Sequence, residues 1–473
     1  MQSSATDIQP RIWISAAILA LFFCALWLPA QTTPFWGDDY IFLSDAHAAN
    51  LTGHPWWTAF WPDMQSKFWR PLSQETFWRF VDSALAGDPR SAHMLNLGLL
   101  ILASCSVGVL GAVLAHTCEW PSPLATGTLG ALVYGSLSLH LLPVHWVSAA
   151  NSSILVVWSA LCLAAWLTAP QSGRIARTVL SVLIPALLLG ALLSKESAVL
   201  LPLLMLVLTV FVAPRARPGR AEFYSWFACW AIIAVWLVLR SRFTSTADAE
   251  YSLVFGTNLV RNAMSLVAWL LNIPREGMRM MLSGEAIPAM LWSAAVALPM
   301  LIVWAIVSRP LSQELSRRRA LAAVAFILLA YAPYFPLAWN SYAYYAAIAS
   351  ILPALLLARG LVSSRFAHTG AALIGLSSLI AVQGTRWLDH PGLIGRAYWA
   401  DATLAALEKE TVLPPLFVLP ADDQRFYAMG AAGLAWRLGL NREDIYVVNS
   451  CPDRAIRCLV IAADGQWSWA QSD

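Results

Sequence analysis

Long apolar runs recur along this chain, and they limit its fold more than any motif does. They cover residues 13–30, 94–115, 124–141, 154–167, 179–193, 199–212, 223–239, 288–307, 321–336, 345–357 and 370–381. Each was weighed against the ~20 apolar residues that cross a bilayer, which gives about eleven expected crossings. Composition agrees: of 473 residues, 59% are hydrophobic and only 12% charged, where a soluble domain carries about 25% charged. So much apolar surface has no place in a soluble fold, so the chain reads as an all-α polytopic membrane protein. The net charge of +3 gives no reason to expect a nucleic-acid partner.

Positive charge matters here by location. Arg11, Arg174, Arg177, Arg215, Arg217, Arg220, Arg317, Arg318, Arg319, Arg359 and Arg365 supply most of the loop charge. Cytoplasmic loops hold the excess of Lys and Arg, so the N-terminus and most of these loops are expected inside. The first run has a charged flank and no clear small-residue cleavage site, which reads as an uncleaved signal anchor. Residues 1–384 then form a membrane module. Residues 31–92 are its first exoplasmic loop, and residues 240–287 an exoplasmic juxtamembrane segment. Within the latter, residues 262–273 are too short to cross and read as an interfacial or re-entrant helix. Residues 385–473 form an exoplasmic tail whose β-α-β-β pattern suits a small α/β domain. Cys451 and Cys458 fall in that tail, an oxidising place, and can close a small disulfide loop.

One stretch stands out against this apolar background. "FWGDDYIFL" sets Asp38 and Asp39 directly after the first crossing. Adjacent residues point about 100° apart on a helix and to opposite faces on a strand, so the pair cannot easily share a proton. One carboxylate is expected to face a reaction centre while the other orients the loop or holds a cation. The plain alternative is a polar cap satisfied by backbone amides. Other polar groups gather at the same membrane face: Lys67, Arg70 and Arg79, then His145 and Asn151, then Lys195 and Glu196. Asn340, Tyr342, Tyr344 and Tyr345 follow, with Arg386 last. Each has an ordinary reading as a snorkelling cation, a neutralised pair or an aromatic belt. Their joint placement at helix ends is what points to a site.

The order of these motifs resembles the GT-C glycosyltransferases: DD after the first crossing, "WRPL" (residues 69–72), His93 and Asn96, "PVH" (residues 143–145), then "SKE" (residues 194–196). Within that superfamily the sequence looks most like the membrane half of the transmembrane O-mannosyltransferases that carry TPR repeats. Protein O-mannosyltransferases and lipid A aminoarabinose transferases are more distant kin. The likeness covers most of residues 10–400. It departs at Leu142, where the family has a histidine, at Val147, where it has a glutamate, and at residues 340–344, where an arginine is missing. No TPR array is present; the small α/β tail stands in its place.

The resemblance implies a catalytic carboxylate in the first exoplasmic loop and a sugar donor carried on a polyprenyl phosphate. Asp38 is then expected to act as general base in an inverting transfer. Asp39 would hold the loop or a divalent cation, Mg²⁺ or Mn²⁺. Arg70, Lys195 and Arg386 are expected at the donor phosphate. His93, Asn96, His145, Glu196, Tyr342 and Tyr344 are expected around the substrates. Partners would be membrane lipid, the lipid-linked donor, and an acceptor that is a protein, lipid A or a polysaccharide. The expected location is a bacterial inner membrane, with the tail in the periplasm. Two other functions fit a chain of this class: a lipid-linked-sugar transporter or flippase, and an O-antigen ligase or polymerase. Transporters keep their coupling charges near the midplane, whereas the charges here lie at helix ends.

Overall fold

The computed structural model describes residues 5–61, 68–215, 217–243, 252–282, 284–338, 342–387, 393–452 and 458–470; Lys67 and Asn340 lie outside them. A helix forms within every apolar run. Only seven of the helices described are long and apolar enough to cross a bilayer: Pro10–Thr32, Pro89–Thr117, Val147–Gln171, Arg174–Leu192, Arg220–Arg242, Ala286–Glu314 and Ala367–Arg386. An eighth crossing is a pair, Pro123–Gly135 and Ser138–His145, bent by 55°. Glu196–Val212 and Ile351–Ser363 are apolar but shorter, and Arg317–Tyr331 has 15 residues. The eleven or so expected helices are thus present, several of them short as expected, with seven or eight long enough to cross alone. At 1.5 Å per residue the 13 residues of Ile351–Ser363 reach about 20 Å, short of the ~30 Å hydrocarbon core. Such short helices are feasible because neighbouring protein surrounds them, and Ile351–Val362 is buried throughout.

Small residues set the closest helix approach. Helices Pro89–Thr117 and Pro123–Gly135 meet at Gly108 and Gly127, where a Cβ built on Gly127 would lie 2.5 Å from the Gly108 carbonyl oxygen. In lipid, where apolar side chains gain little by leaving the solvent, this close packing is a main source of helix association.

The segments expected to be exoplasmic form helices of their own. Thr257–Leu270 exposes Val260, Met264 and Val267 on one face and buries Leu266 and Trp269 on the other. That is the pattern of a helix lying in the membrane surface.

After the helix Leu393–Leu407 the tail forms a four-stranded sheet: β1 Leu416–Pro420, β2 Ile445–Val447, β3 Cys458–Ile461 and β4 Trp467–Ala470, in the order β2-β1-β3-β4. β1 is parallel to both β2 and β3, and β4 closes an antiparallel hairpin with β3. One strand is added to the expected β-α-β-β pattern because residues 462–466 turn the last apolar stretch back on itself, with the Ala462 amide donating to the Gln466 carbonyl at 2.8 Å. Cys451 and Cys458 are joined by a disulfide. This sheet unit docks on the segment that follows the first crossing. Trp436 meets His47 edge to face at 5.3 Å, and Gly433 packs against the Tyr40 ring.

Candidate active site

Asp38 and Asp39 open the helix Asp38–Leu51, where the positive end of the helix dipole favours carboxylates. One helical step sends them apart. Asp39 is fully buried. Its Oδ2 accepts from the Trp36 amide at 3.2 Å, and its Oδ1 accepts from the Ser148 amide at 2.8 Å and the Ser148 hydroxyl at 2.6 Å. Asp39 therefore ties the acidic turn to the segment that carries Ser148. Burial pushes its pKa up to about 7, against these donors. Asp38 is half-buried, and its Oδ1 accepts from the Tyr427 hydroxyl at 2.6 Å. Of the two, Asp38 is the carboxylate within reach of a substrate.

A rigid frame lies beneath the pair. His93, Asn96 and His145 are at most 1% exposed. His93 Nδ1 donates to the Val144 carbonyl at 2.9 Å, and Asn96 Nδ2 donates to the Pro143 carbonyl at 2.9 Å. His145 Nδ1 lies 2.9 Å from the Thr33 hydroxyl, and the Trp36 indole donates to the His145 carbonyl. The three expected pocket residues thus hold backbone on one side, while His93 Nε2, Asn96 Oδ1 and His145 Nε2 are buried with no hydrogen-bond partner among the described residues. They satisfy the irregular backbone of residues 143–146, which membrane depth would otherwise leave unpaired.

The expected cations divide in a similar way. Arg70 and Glu196 form a bidentate pair, with Arg70 Nη2 2.7 Å from Glu196 Oε2, and Arg240 lies 3.9 Å from the same carboxylate. Arg70 is therefore neutralised by Glu196 rather than held ready for an anion. Lys195 Nζ donates to Asn151 Oδ1 at 3.0 Å and Ser152 Oγ at 3.1 Å, and sits 4.6 Å from the Tyr344 ring centroid. Tyr344 stacks on Tyr342 at 5.3 Å. Arg386 is half-buried in the last turn of Ala367–Trp387, within electrostatic reach of His145.

A residue that the sequence reading missed completes this row. Arg275 is 3% exposed, and none of its three guanidinium nitrogens has a hydrogen-bond partner among the described residues. It lies 4.0 Å over the Tyr342 ring, within electrostatic reach of Arg396. Asn272 holds it there: its carbonyl oxygens accept from Ser138, and its Nδ2 donates to Ser377 and Ser378. Trp36 meets Trp146 at 5.0 Å and Trp146 meets Tyr342 at 6.4 Å, so aromatic rings connect the acidic turn to the guanidinium. Glu75 was missed too. It ends the one-turn π-helix Pro71–Glu75, its Oε2 is buried without a hydrogen-bond partner among the described residues, and burial raises its pKa to about 7.

The residues present do not fit a metal at Asp39. Three protein donors take up most of the roughly four acceptor positions of its carboxylate. Among the described residues no three His, Cys, Asp or Glu side chains come together as ligands.

Comparison of the whole chain places this arrangement in a known architecture. The crystal structure of ArnT from Cupriavidus metallidurans bound to undecaprenyl phosphate superposes with a TM-score of 0.54 at 13% identity, covering 95% of this chain and 87% of that one. The apo ArnT structure gives 0.53 at 13% identity, with coverages of 94% and 87%. The chain therefore shares the overall fold of these two ArnT structures. No family model and no curated relative matches the chain.

Within this fold the acidic turn, the "PVH" segment, Lys195 and Tyr342 are the motif residues that end up near one another. Arg275 carried no signal in "NIPREGM", where it reads as one more juxtamembrane arginine. Only its burial without a partner sets it apart.

Proposed function

We propose that the chain is an inverting glycosyltransferase that takes its sugar from a polyprenyl phosphate at the exoplasmic face of a bacterial inner membrane. Arg275 carries the reading. A buried guanidinium is costly unless paired, and a phosphate at headgroup depth would supply an anion that this one does not find among the described residues. Support also comes from an apolar cavity of about 310 Å³ at the same membrane end, lined by Trp69, Leu189, Leu193, Val235, Trp236 and Leu239, which suits a prenyl chain.

In this reading Asp38 removes the proton from an acceptor hydroxyl as its oxygen attacks the anomeric carbon. The bond from that carbon to the phosphate oxygen breaks, configuration inverts, and the polyprenyl phosphate leaves with the electron pair. Arg275, with Lys195 nearby, opposes the charge that grows on the leaving group in a poorly solvated site. Asp39 takes no proton from the substrate; it holds the turn that aims Asp38. The disulfide in the tail favours an exoplasmic location for the site.

The test is sugar transfer by purified protein in proteoliposomes, supplied with labelled polyprenyl-phosphate sugars and cell-envelope extract. Asp38→Asn is expected to lose about 10²–10⁴-fold in rate while still binding donor. Arg275→Ala is expected to weaken donor binding. If Asp39→Asn alone abolished transfer in folded protein, the two carboxylates would exchange roles. Transport of the labelled lipid across vesicles without any transfer would favour a flippase.

A further inference from the structure

The tail reaches back to the proposed base. Tyr427 lies 389 positions from Asp38, and its hydroxyl donates to Asp38 Oδ1 at 2.6 Å. The contact is built in on both sides. The Gly37 amide donates to the Ala428 carbonyl at 2.7 Å, so the tail loop runs along the backbone that carries the acidic pair. Gly37 has φ +59°, and a Cβ there would come within 3.1 Å of the Tyr427 ring. This glycine both allows the turn into the helix and leaves room for the ring. Around Tyr427, Phe426, Ala428 and Met429 are buried, whereas Tyr427 itself is 44% exposed. The loop is anchored, while its tyrosine stands on the surface with its hydroxyl turned inward to Asp38.

We propose that the Tyr427 hydroxyl occupies the acceptor-hydroxyl position on Asp38, so that an acceptor must displace it before transfer. This rests on Asp38 being the base. A base that accepts an O–H from a substrate must be able to accept one from a tyrosine in the same geometry, and a hydrogen bond to a carboxylate is strong enough to compete. Holding that position between turnovers keeps water off the base, which limits wasteful hydrolysis of the donor. The tail thus acts as a gate on the acceptor side.

The experiment compares wild type, Tyr427→Phe, Tyr427→Ala and Asp38→Asn in proteoliposomes with labelled polyprenyl-phosphate sugars. It reads release of free sugar to water and the concentration of cell-envelope extract that gives half-maximal transfer. Both Tyr427 variants are expected to raise hydrolysis, and to lower the half-maximal extract concentration by about tenfold, the scale of one charge-assisted hydrogen bond. A fall in maximal rate with hydrolysis and half-saturation unchanged would overturn the proposal and leave Tyr427 as a positioning residue for Asp38. Asp38→Asn separates the two levels. If it abolishes transfer while the Tyr427 variants behave as wild type, the gate fails and the base stands. If it transfers normally, the base itself is wrong and the gate falls with it.

Discussion

Asp38 and Asp39 share one helical turn, yet burial and hydrogen-bond donors give them separate tasks. Asp39 joins the acidic turn to the segment that carries Ser148, so removing it should damage the fold before the chemistry. Asp39→Ala orphans the buried amides of Trp36 and Ser148, at roughly 1–3 kcal/mol for each buried group left unpaired. A drop of several degrees in the unfolding temperature of detergent-purified protein is expected, read by fluorescence-detected size exclusion; an unchanged temperature would deny the clamp. The pH dependence has a definite sign. Asp39 has a pKa of about 7 in the folded protein against 3.8 for an ordinary aspartate. Between those values the folded state holds the extra proton, so its contribution to stability is fully present below about pH 4 and falls as pH rises to about 7. Asp39→Asn cannot titrate. Its stability relative to wild type should therefore shift in the variant's favour between about pH 5 and 7.5, by on the order of 1 kcal/mol per pH unit. Parallel melting profiles for the two proteins would show that burial does not raise this carboxyl.

At the scale of elements, the contact between Pro89–Thr117 and Pro123–Gly135 depends on the absence of side chains at Gly108 and Gly127. Gly127→Leu would force these helices apart or the leucine off its rotamer, at a cost of about 1–3 kcal/mol. The second helix leads directly into the bent segment that carries "PVH", so the shift should also reach His93 and Asn96, which grip that loop. Reduced thermal stability together with reduced transfer is expected; loss of neither would mean the interface adapts. The sequence disclosed these elements well, because hydropathy alone marks a membrane helix. Their lengths were less legible. A run such as residues 345–357 is apolar because protein surrounds it, and hydropathy cannot tell burial in protein from burial in lipid. The polar residues were harder still. His93 and Asn96 look like pocket residues in the chain, and only their bonds to the carbonyls of Val144 and Pro143 reveal a supporting role. Arg275 and Tyr427 gave no sign, since each owes its interest to what lies around it in three dimensions.

At the scale of the whole molecule, charge is sorted to two ends. One end gathers Arg177 with Glu222, Arg215 with Glu119, and Arg359 with Glu314, all in or beside the arginine-rich loops. The other gathers Asp38, Asp39, Lys195, Glu196 and Arg275, with the disulfide-bearing tail docked over the acidic turn. By the positive-inside rule the first end is expected in the cytoplasm and the candidate site on the outer face. Two exposed positions test this directly: Arg365 at the arginine-rich end and Asn441 in the tail. In cells with a permeabilised outer membrane, a membrane-impermeant maleimide should label Asn441→Cys at once and Arg365→Cys only after lysis. The disulfide-bonded Cys451 and Cys458 should stay unreactive without reductant. The reverse pattern would put Asp38 and Arg275 at the cytoplasmic leaflet. The base and the guanidinium could still serve a lipid-linked donor there, but the sugar would have to be presented on the inner face, and the disulfide would have to persist in a reducing compartment. The labelling result therefore decides the membrane face independently of the chemistry.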